Sequence, residues 1–195
     1  MMHWMMRLSM GLALLLLPAA ATTAQADWRN HLSRTSATDE HPSWEKYAFE
    51  LPYATQDGEL KFEELAKGGK PFVIFFWLSD CPVCHLQMPY VQQLQNLIEN
   101  GTVDLRLVAI SIDDDDRECT KFIEDKDLTF EVLLDRHARH TNDEYKVEDL
   151  GTPLTYVFDK DGEFVDYLTG FRNSFAKSVL KLLDIQFPAK VTAGS

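Results

Sequence analysis

The sequence FVIFFWLSDCPVCHLQMP, residues 72–89, decides the fold. Residues 72–78 form a short apolar run rich in aromatic and β-branched side chains, which is typical of a strand buried on both faces. Two cysteines, Cys81 and Cys84, follow at the start of an amphipathic helical pattern over residues 83–100, whose predicted apolar stripe is Val83, Leu86, Tyr90, Leu94, Leu97 and Ile98. Unpaired backbone N–H groups and the helix dipole at such a position stabilise a thiolate. The stretch therefore predicts a buried strand, a helix N-terminus and a redox-active cysteine pair.

The length and composition of the chain indicate one domain and oppose some classes of partner. The chain has 195 residues, of which 45% are hydrophobic, and this suits one globular domain with extensions. Its formal net charge of −12 opposes binding to nucleic acid or to anionic lipid. We therefore expect no nucleic-acid partner, and we expect a monomer.

The first 26 residues have the features of a secretory signal peptide. Arg7 precedes an apolar segment at 8–17, and Ala24, Gln25 and Ala26 form an A-x-A cleavage site. The apolar segment is short for a membrane span. We therefore expect cleavage after Ala26 and a periplasmic or otherwise exported protein, which would contact the membrane only if the signal stayed uncleaved.

The rest of the chain is predicted to hold one α/β domain at 44–187, between a flexible arm at 27–43 and a disordered tail at 188–195. Strand patterns occur at 44–51, 72–78, 103–112, 130–134, 154–158 and 163–169. Helical patterns occur at 60–67, 83–100, about 117–126, 136–145 and 174–185. This alternation predicts a central mixed sheet, mainly parallel, with helices on both faces and a final hairpin that adds an antiparallel edge.

Residues 77–84, followed downstream by Gly151, Thr152, Pro153 and a hairpin, resemble the thioredoxin superfamily and most of all its exported TlpA/ResA-like branch. The resemblance implies a thioredoxin-like fold with a central strand–helix insertion at 128–147. It also implies a thiol–disulfide oxidoreductase that acts on protein cysteines outside the cytoplasm. In this branch such proteins are reductants for apocytochrome c or other exported thiols, and they exchange electrons with a membrane donor or acceptor.

Cysteine chemistry assigns a role to each member of the pair. Cys81 is expected to form a mixed disulfide with a partner, and Cys84, one turn further and more buried, to resolve it into a Cys81–Cys84 disulfide. Pro82 suits the first helical turn because its missing N–H has no partner there. The resemblance implies that Thr152 and Pro153 are joined by a cis bond, beside which an extended substrate pairs with the Thr152 backbone. The predicted supporting residues are Trp77, Asp80, Pro82, Val83, His85, Gln87, Thr152 and Pro153.

Several positions depart from the patterns of the resembled proteins. Gln87 stands where the TlpA/ResA branch often has a proton-shuttling acid, and Phe75 stands where thioredoxin has a buried acid. The sequence therefore shows no proton acceptor for Cys84. Asp80 replaces an aromatic residue before the first cysteine; its charge disfavours a thiolate, whereas a protonated His85 favours one. The direction of electron flow thus stays open.

Three other functions use similar residues. Residues 81–85 are a literal C-x-x-C-H, the signature of c-type haem attachment, but cytochrome c domains are mostly helical and do not place this motif after a strand. A copper metallochaperone is the second alternative, because a thiolate pair binds soft metals well. A peroxidase is disfavoured, because the Pro-x-x-x-Thr pattern of peroxiredoxins is absent at Cys81. We expect neither a cofactor nor a bound metal.

Three further clusters are interpreted as structural. The aspartates at 113–116 predict a solvated loop with a helix N-cap, because consecutive side chains point apart and hold a metal poorly. His137 and His140 are spaced to share a face of the predicted helix at 136–145, but the sequence pattern indicates no third metal ligand beside them. Cys119 is interpreted as a buried or idle helix cysteine rather than a third redox partner.

Overall fold

The structure, a computed structural model, describes residues 43–188. The predicted signal peptide, nearly all of the arm and nearly all of the tail lie outside these residues, so the domain boundaries stay predictions. The described chain begins with a 3₁₀ helix, Ser43–Tyr47, and a hairpin of β1, Glu50–Pro52, with β2, Glu59–Lys61. The predicted strand at 44–51 is therefore wrong in its first half, because only its last residues find an antiparallel partner.

The main sheet has five strands and confirms the predicted fold class. The remaining strands are β3 Phe72–Trp77, β4 Arg106–Ser111, β5 Glu131–Leu134, β6 Leu154–Phe158 and β7 Phe164–Thr169. The helices are α1 Phe62–Ala66, α2 Pro82–Glu99, α3 Asp116–Asp125, α4 Asn142–Tyr145, α5 Val147–Leu150 and α6 Phe175–Leu182. The strand order is β5-β4-β3-β6-β7, with β3, β4 and β5 parallel and β6 and β7 antiparallel to their neighbours. From residue 43 to 188 no helix has the length and apolar character to cross a bilayer.

Strand β3 lies at the centre of the sheet because all of its side chains are apolar and buried. Alternate residues point to opposite faces. Val73, Phe75 and Trp77 enter a core shared with α2, α3 and α6, while the other three enter a core shared with α1, α4 and α5. Burying one such side chain stabilises the fold by roughly 1.5–3 kcal/mol before entropy is counted. This strand therefore fixes where its carboxyl end, and the cysteines that follow, are presented.

The first turns of helix α2 bury a different face from the one predicted, whereas the later turns bury Leu94 and Leu97 as predicted. Val83 and Leu86 of the predicted apolar stripe are 40% and 62% exposed. The face in contact with the core instead carries Cys84, Gln87, Met88, Val91, Leu94 and Leu97. This set still recurs every three or four residues. The prediction failed in the first turns because Gln87 turns inward to hydrogen-bond to the backbone of Arg172, a partner that the helical pattern does not reveal.

The predicted helix at 136–145 is broken near its start. A 3₁₀ turn, Arg136–Ala138, precedes α4. His137 has a φ of 57°, in the left-handed region, so a continuous right-handed helix cannot pass through it. His137 and His140 therefore do not share a helix face, and Nδ1 of His137 lies 2.8 Å from Oδ1 of Asp114. Among the residues that the structure describes, no three His, Cys, Asp or Glu side chains are grouped to hold a metal ion.

Candidate active site

The chain leaves β3 through a short turn that delivers Cys81 to the N-terminus of α2. Cys81 is the N-cap residue, with extended backbone angles, and its Sγ accepts a hydrogen bond from the N–H of Cys84 at 3.2 Å. Pro82 follows in the first helical turn, as predicted. Cys81 is partly exposed, whereas Cys84 is buried. The predicted difference in burial is confirmed, and Cys81 is the thiol of the pair that a partner can reach.

The two thiols are free in this structure, and their surroundings differ. Burial, and to a smaller extent the hydrogen bond with Cys81, raise the pKa of the Cys84 thiol to about 12. Hydrogen bonds from the Leu78 backbone and the Thr152 side chain act in the opposite direction, because they favour the thiolate. Cys84 therefore keeps its proton at neutral pH while both thiols are free.

Thr152 and Pro153 lie beside the cysteine pair. The peptide bond between them is cis, as the resemblance implied. The Thr152 carbonyl oxygen is 3.8 Å from Sγ of Cys81, and its side chain hydrogen-bonds to Cys84. The structure thus brings together two segments that are far apart in the sequence. It also adds a contact that we did not predict, between the Thr152 hydroxyl and the second thiol.

A buried carboxylate supports the turn before Cys81. Asp113 is 4% exposed, and its Oδ1 accepts hydrogen bonds from Ser79 N at 2.8 Å and Ser79 Oγ at 2.9 Å. Its Oδ2 accepts a hydrogen bond from Ser111 Oγ at 2.6 Å. The prediction of a solvated loop at 113–116 is therefore wrong at this position. It is correct at Asp115, whose side chain caps α3 by accepting a hydrogen bond from Arg117 N.

The sheet register explains why Asp113 reaches this turn. Trp77 and Ser111 are paired at the ends of the parallel strands β3 and β4. Segments that follow parallel strands meet at one edge of the sheet. Two residues beyond each strand, Ser79 and Asp113 therefore face each other. A comparison of the two predicted strand ends would have found this contact.

The other predicted supporting residues surround the same turn. Nε2 of His85 is 2.5 Å from the Ser79 carbonyl oxygen, and its ring packs against Phe122 at a centroid distance of 4.8 Å. Trp77 is buried beneath the turn, where it also contacts Phe122. Asp80 is exposed, so solvent and salt screen its charge. His85 and Trp77 therefore hold the turn in place. Ser79 hydrogen-bonds to Asp113 through its N–H and hydroxyl and to His85 through its carbonyl oxygen.

The last two predicted residues lie on α2. Val83, in its first turn, is exposed beside Cys81. Gln87 is buried, and its amide hydrogen-bonds to the backbone N and O of Arg172. Its side chain is therefore directed at the segment after β7.

Cys119 lies fully buried on α3, as interpreted from the sequence, and burial raises the pKa of its thiol to about 12. Because the unfolded thiol ionises near pH 9, the folded chain retains a proton that the unfolded chain releases between about pH 9 and pH 12. The free energy of unfolding should then fall by about 1.4 kcal/mol per pH unit in this window. Below pH 9 the Cys119 thiol is protonated in both the folded and the unfolded chain, so its contribution to the free energy of unfolding should not change with pH.

Urea unfolding at pH 8 and pH 10 tests this expectation in a background that carries Cys81→Ser and Cys84→Ser. With Cys119 present, stability should drop by about 1.4 kcal/mol more between the two pH values than with Cys119→Ala. The alanine variant also leaves a small cavity, but this lowers stability equally at both pH values. Equal pH slopes for the two proteins would contradict the assignment.

Comparison with known proteins places the chain in a family. Its sequence matches the AhpC/TSA family over residues 45–167, more than half of the chain. It is 32% identical over 102 residues to the thiol-disulfide oxidoreductase ResA of Oceanobacillus iheyensis, a region that covers 52% of this chain and 50% of the relative. The chain spans about half the length of the curated relatives it matches.

Solved structures show the same fold. A putative thiol:disulfide interchange protein DsbE from Chlorobium tepidum superposes with a TM-score of 0.59 at 25% identity, over 69% of this chain and 89% of that chain. A secreted disulfide oxidoreductase of Mycobacterium tuberculosis gives a TM-score of 0.59 at 20% identity, over 70% and 98% of the two chains. At 20% identity the likeness shows the fold alone. Family match and fold agree, and the chain therefore belongs to the AhpC/TSA family, as a thioredoxin-like member with ResA-type relatives.

Proposed function

We propose that this protein is a thiol–disulfide oxidoreductase that exchanges a Cys81–Cys84 disulfide with cysteines of other proteins. The main support is the arrangement of the pair: a reachable sulfur at the N-terminus of α2, with a buried thiol directly behind it. The Thr152 carbonyl beside Cys81 offers an acceptor to an extended partner segment. The name shared by the ResA relatives, thiol-disulfide oxidoreductase, supports the same activity.

In the reductive direction, the free thiols give two electrons to a partner's disulfide. The Cys81 thiolate attacks one partner sulfur, the partner's S–S bond breaks, and the first partner thiolate leaves. Cys84 then attacks Sγ of Cys81, which breaks the mixed disulfide and releases the second partner thiolate. The partner thiolates take up the two protons that Cys81 and Cys84 lose. The pair ends as a disulfide, and a separate electron donor must reduce it again.

The second step requires Cys84 to lose its proton, although its pKa is about 12 when both thiols are free. Gln87 cannot accept that proton, because an amide does not titrate. The departing partner thiolate is the base that the reaction itself supplies. The Leu78 backbone and the Thr152 hydroxyl then stabilise the Cys84 thiolate by hydrogen bonds. Thr152 therefore assists the resolving step.

Thr152→Val removes this hydroxyl but keeps the β-branched shape. A hydrogen bond to a charged group contributes about 1.5–3 kcal/mol, so the resolving step should slow about tenfold or more. The mixed disulfide should accumulate, which acid quenching, alkylation and mass spectrometry measure over time. Thr152→Ser retains a hydroxyl and should resolve at nearly the normal rate. Equal rates for the valine and serine variants would contradict the role of the hydroxyl.

We further propose that the protein is a reductant for apocytochrome c or other exported thiols, and that a membrane donor supplies its electrons. The A-x-A site ending at Ala26 and the resemblance to the TlpA/ResA branch support this more specific role. N-terminal sequencing of protein released from the periplasm should begin near Asp27. Recovery from the cytoplasm with an intact N-terminus would contradict export.

Equilibration of the cysteine pair with a thiol–disulfide buffer tests the proposed activity and its direction. A reduction potential near that of thioredoxin, about −270 mV, is expected of a reductant. A potential near about −120 mV would make the protein a disulfide donor instead. Failure to form any reversible disulfide would overturn the proposed oxidoreductase function. Metal binding would then test copper handling, and absorbance spectra would test haem attachment, at residues 81–85.

A further inference from the structure

Gln87 is a buried polar side chain to which the chemistry above gives no role. It is 1% exposed on α2. Its Oε1 accepts a hydrogen bond from Arg172 N at 2.6 Å, and its Nε2 donates one to Arg172 O at 3.3 Å. The amide therefore satisfies both backbone polar groups of one residue, as a neighbouring strand would. Because unpaired buried amides are costly, this pairing fastens residues 170–174 to the helix that carries the cysteines.

The same loop is fastened to the opposite side of the site. Gly170 begins it with a φ of 67° and donates its N–H to the Pro153 carbonyl at 2.9 Å. The Phe171 ring packs edge-on against Tyr90 of α2, with centroids 5.6 Å apart and an interplanar angle of 71°. Residues 170–174 therefore bridge α2 and the segment that contains Thr152 and Pro153.

This loop places an exposed aromatic ring beside an exposed face of α2. Phe171 is 45% exposed. Leu86 lies one helical turn before Tyr90, on the same side of α2, and Val83 lies a further turn toward Cys81. In the described part of the chain, the large hydrophobic side chains that remain exposed are Val83, Leu86, Val165 and Phe171. We call Val83, Leu86 and Phe171 the apolar patch; it adjoins the cysteine that a partner reaches.

We propose that Gln87 is a positioning residue, whose amide holds the loop so that Phe171 completes the apolar patch on which a protein partner docks. The occupant is a polypeptide that presents an apolar side chain next to its reacting cysteine. This inference rests on the proposed oxidoreductase function. Gln87 occupies a position where related proteins often have a titrating acid, but it acts through two hydrogen bonds rather than through proton transfer.

Gln87→Met keeps the length and burial of the side chain and removes both hydrogen bonds. The test compares single-turnover reduction of insulin, a protein disulfide, with that of hydroxyethyl disulfide, which is too small to span the patch. The second-order rate constant with insulin should fall about five- to tenfold, the effect of losing one good interface contact. The rate with hydroxyethyl disulfide should change less than about twofold, and the reduction potential should stay the same. Gln93→Met, the same change on the exposed face of α2, should affect neither substrate.

Phe171→Ser tests the other end of the contact without disturbing a buried group. It should lower the rate with insulin and leave the rate with hydroxyethyl disulfide unchanged. The double variant that carries Gln87→Met and Phe171→Ser should reduce insulin no more slowly than Gln87→Met, because both changes remove the same docking contact. Equal slowing with both disulfides, or an unchanged rate with insulin, would overturn the positioning role. If the unaltered protein failed to reduce even hydroxyethyl disulfide, the proposed oxidoreductase function would be wrong, and this outcome is distinct from the loss of the positioning role. Should Gln87→Met not fold, Gln87→Leu, which also lacks both hydrogen bonds to Arg172, takes its place in the same comparison.

Discussion

Replacing Cys84 by serine is expected to leave a partner protein covalently attached to Cys81. The first attack needs only the reachable Cys81 sulfur, which the variant retains. The resolving attack needs a second thiolate behind it, and a serine hydroxyl at neutral pH supplies none. Turnover should therefore fall on the order of 10³-fold or more, as when a catalytic nucleophile is removed. Non-reducing electrophoresis of the variant mixed with a disulfide-bonded protein should show a thiol-sensitive adduct.

Two control variants identify the attacking sulfur. Cys81→Ser should abolish both turnover and adduct, because the buried Cys84 cannot be reached by a protein partner. Cys119→Ala should turn over at a nearly normal rate, since Cys119 is fully buried on α3. An adduct of equal yield in the Cys81→Ser protein, or one attached to Cys119 by mass spectrometry, would reverse the assigned roles.

Replacing Asp113 by alanine is expected to lower the free energy of unfolding by about 3 kcal/mol. The change leaves three donors without their acceptor: the Ser79 backbone N–H and the hydroxyls of Ser79 and Ser111. Each donor orphaned in a buried site costs roughly 1–3 kcal/mol, although a hydroxyl that rotates toward water recovers part of this. Urea unfolding measures the loss. Asp113→Asn keeps an oxygen for Ser79 and should lose only about 1 kcal/mol.

Asp114→Ala is the matched control for Asp113→Ala. Asp114 is the next residue, and its side chain is 77% exposed where it contacts His137. Exposed ion pairs contribute about 0–1 kcal/mol, so this variant should be nearly as stable as the unaltered protein. Similar losses in the two alanine variants would show that the network around Ser79 does not hold the turn.

Short-range patterns were enough to predict β3, the cysteine pair and the hairpin of β6 and β7. In each case the information lies within a few neighbouring residues: an apolar run, a pair at a helix start, or a turn between alternating strands. The resemblance to a known superfamily then supplied the cis bond at Pro153, which no local pattern encodes.

The failures at Gln87 and Asp113 share a physical cause. Both side chains are polar: the run of aspartates predicts a solvated loop at Asp113, and the apolar stripe predicted for α2 leaves Gln87 out. Each is buried because its hydrogen-bond partner arrives from a distant part of the sequence, Arg172 for Gln87 and Ser79 for Asp113. With Gln87 turned inward, the first turns of α2 leave Val83 and Leu86 exposed, while Leu94 and Leu97 are buried as predicted.

The place of β3 in the sheet also determines when a newly made chain becomes safe from aggregation. One edge of β3 pairs with β4, the next strand in the chain, but its other edge waits for β6, Leu154–Phe158. A chain that emerges N-terminus first, from a ribosome or a translocation channel, therefore displays an unpaired apolar strand edge from the emergence of Trp77 until Phe158 has emerged. Such edges associate with one another readily. The strand order thus exposes this edge to association during emergence, until the last hairpin is free to fold back.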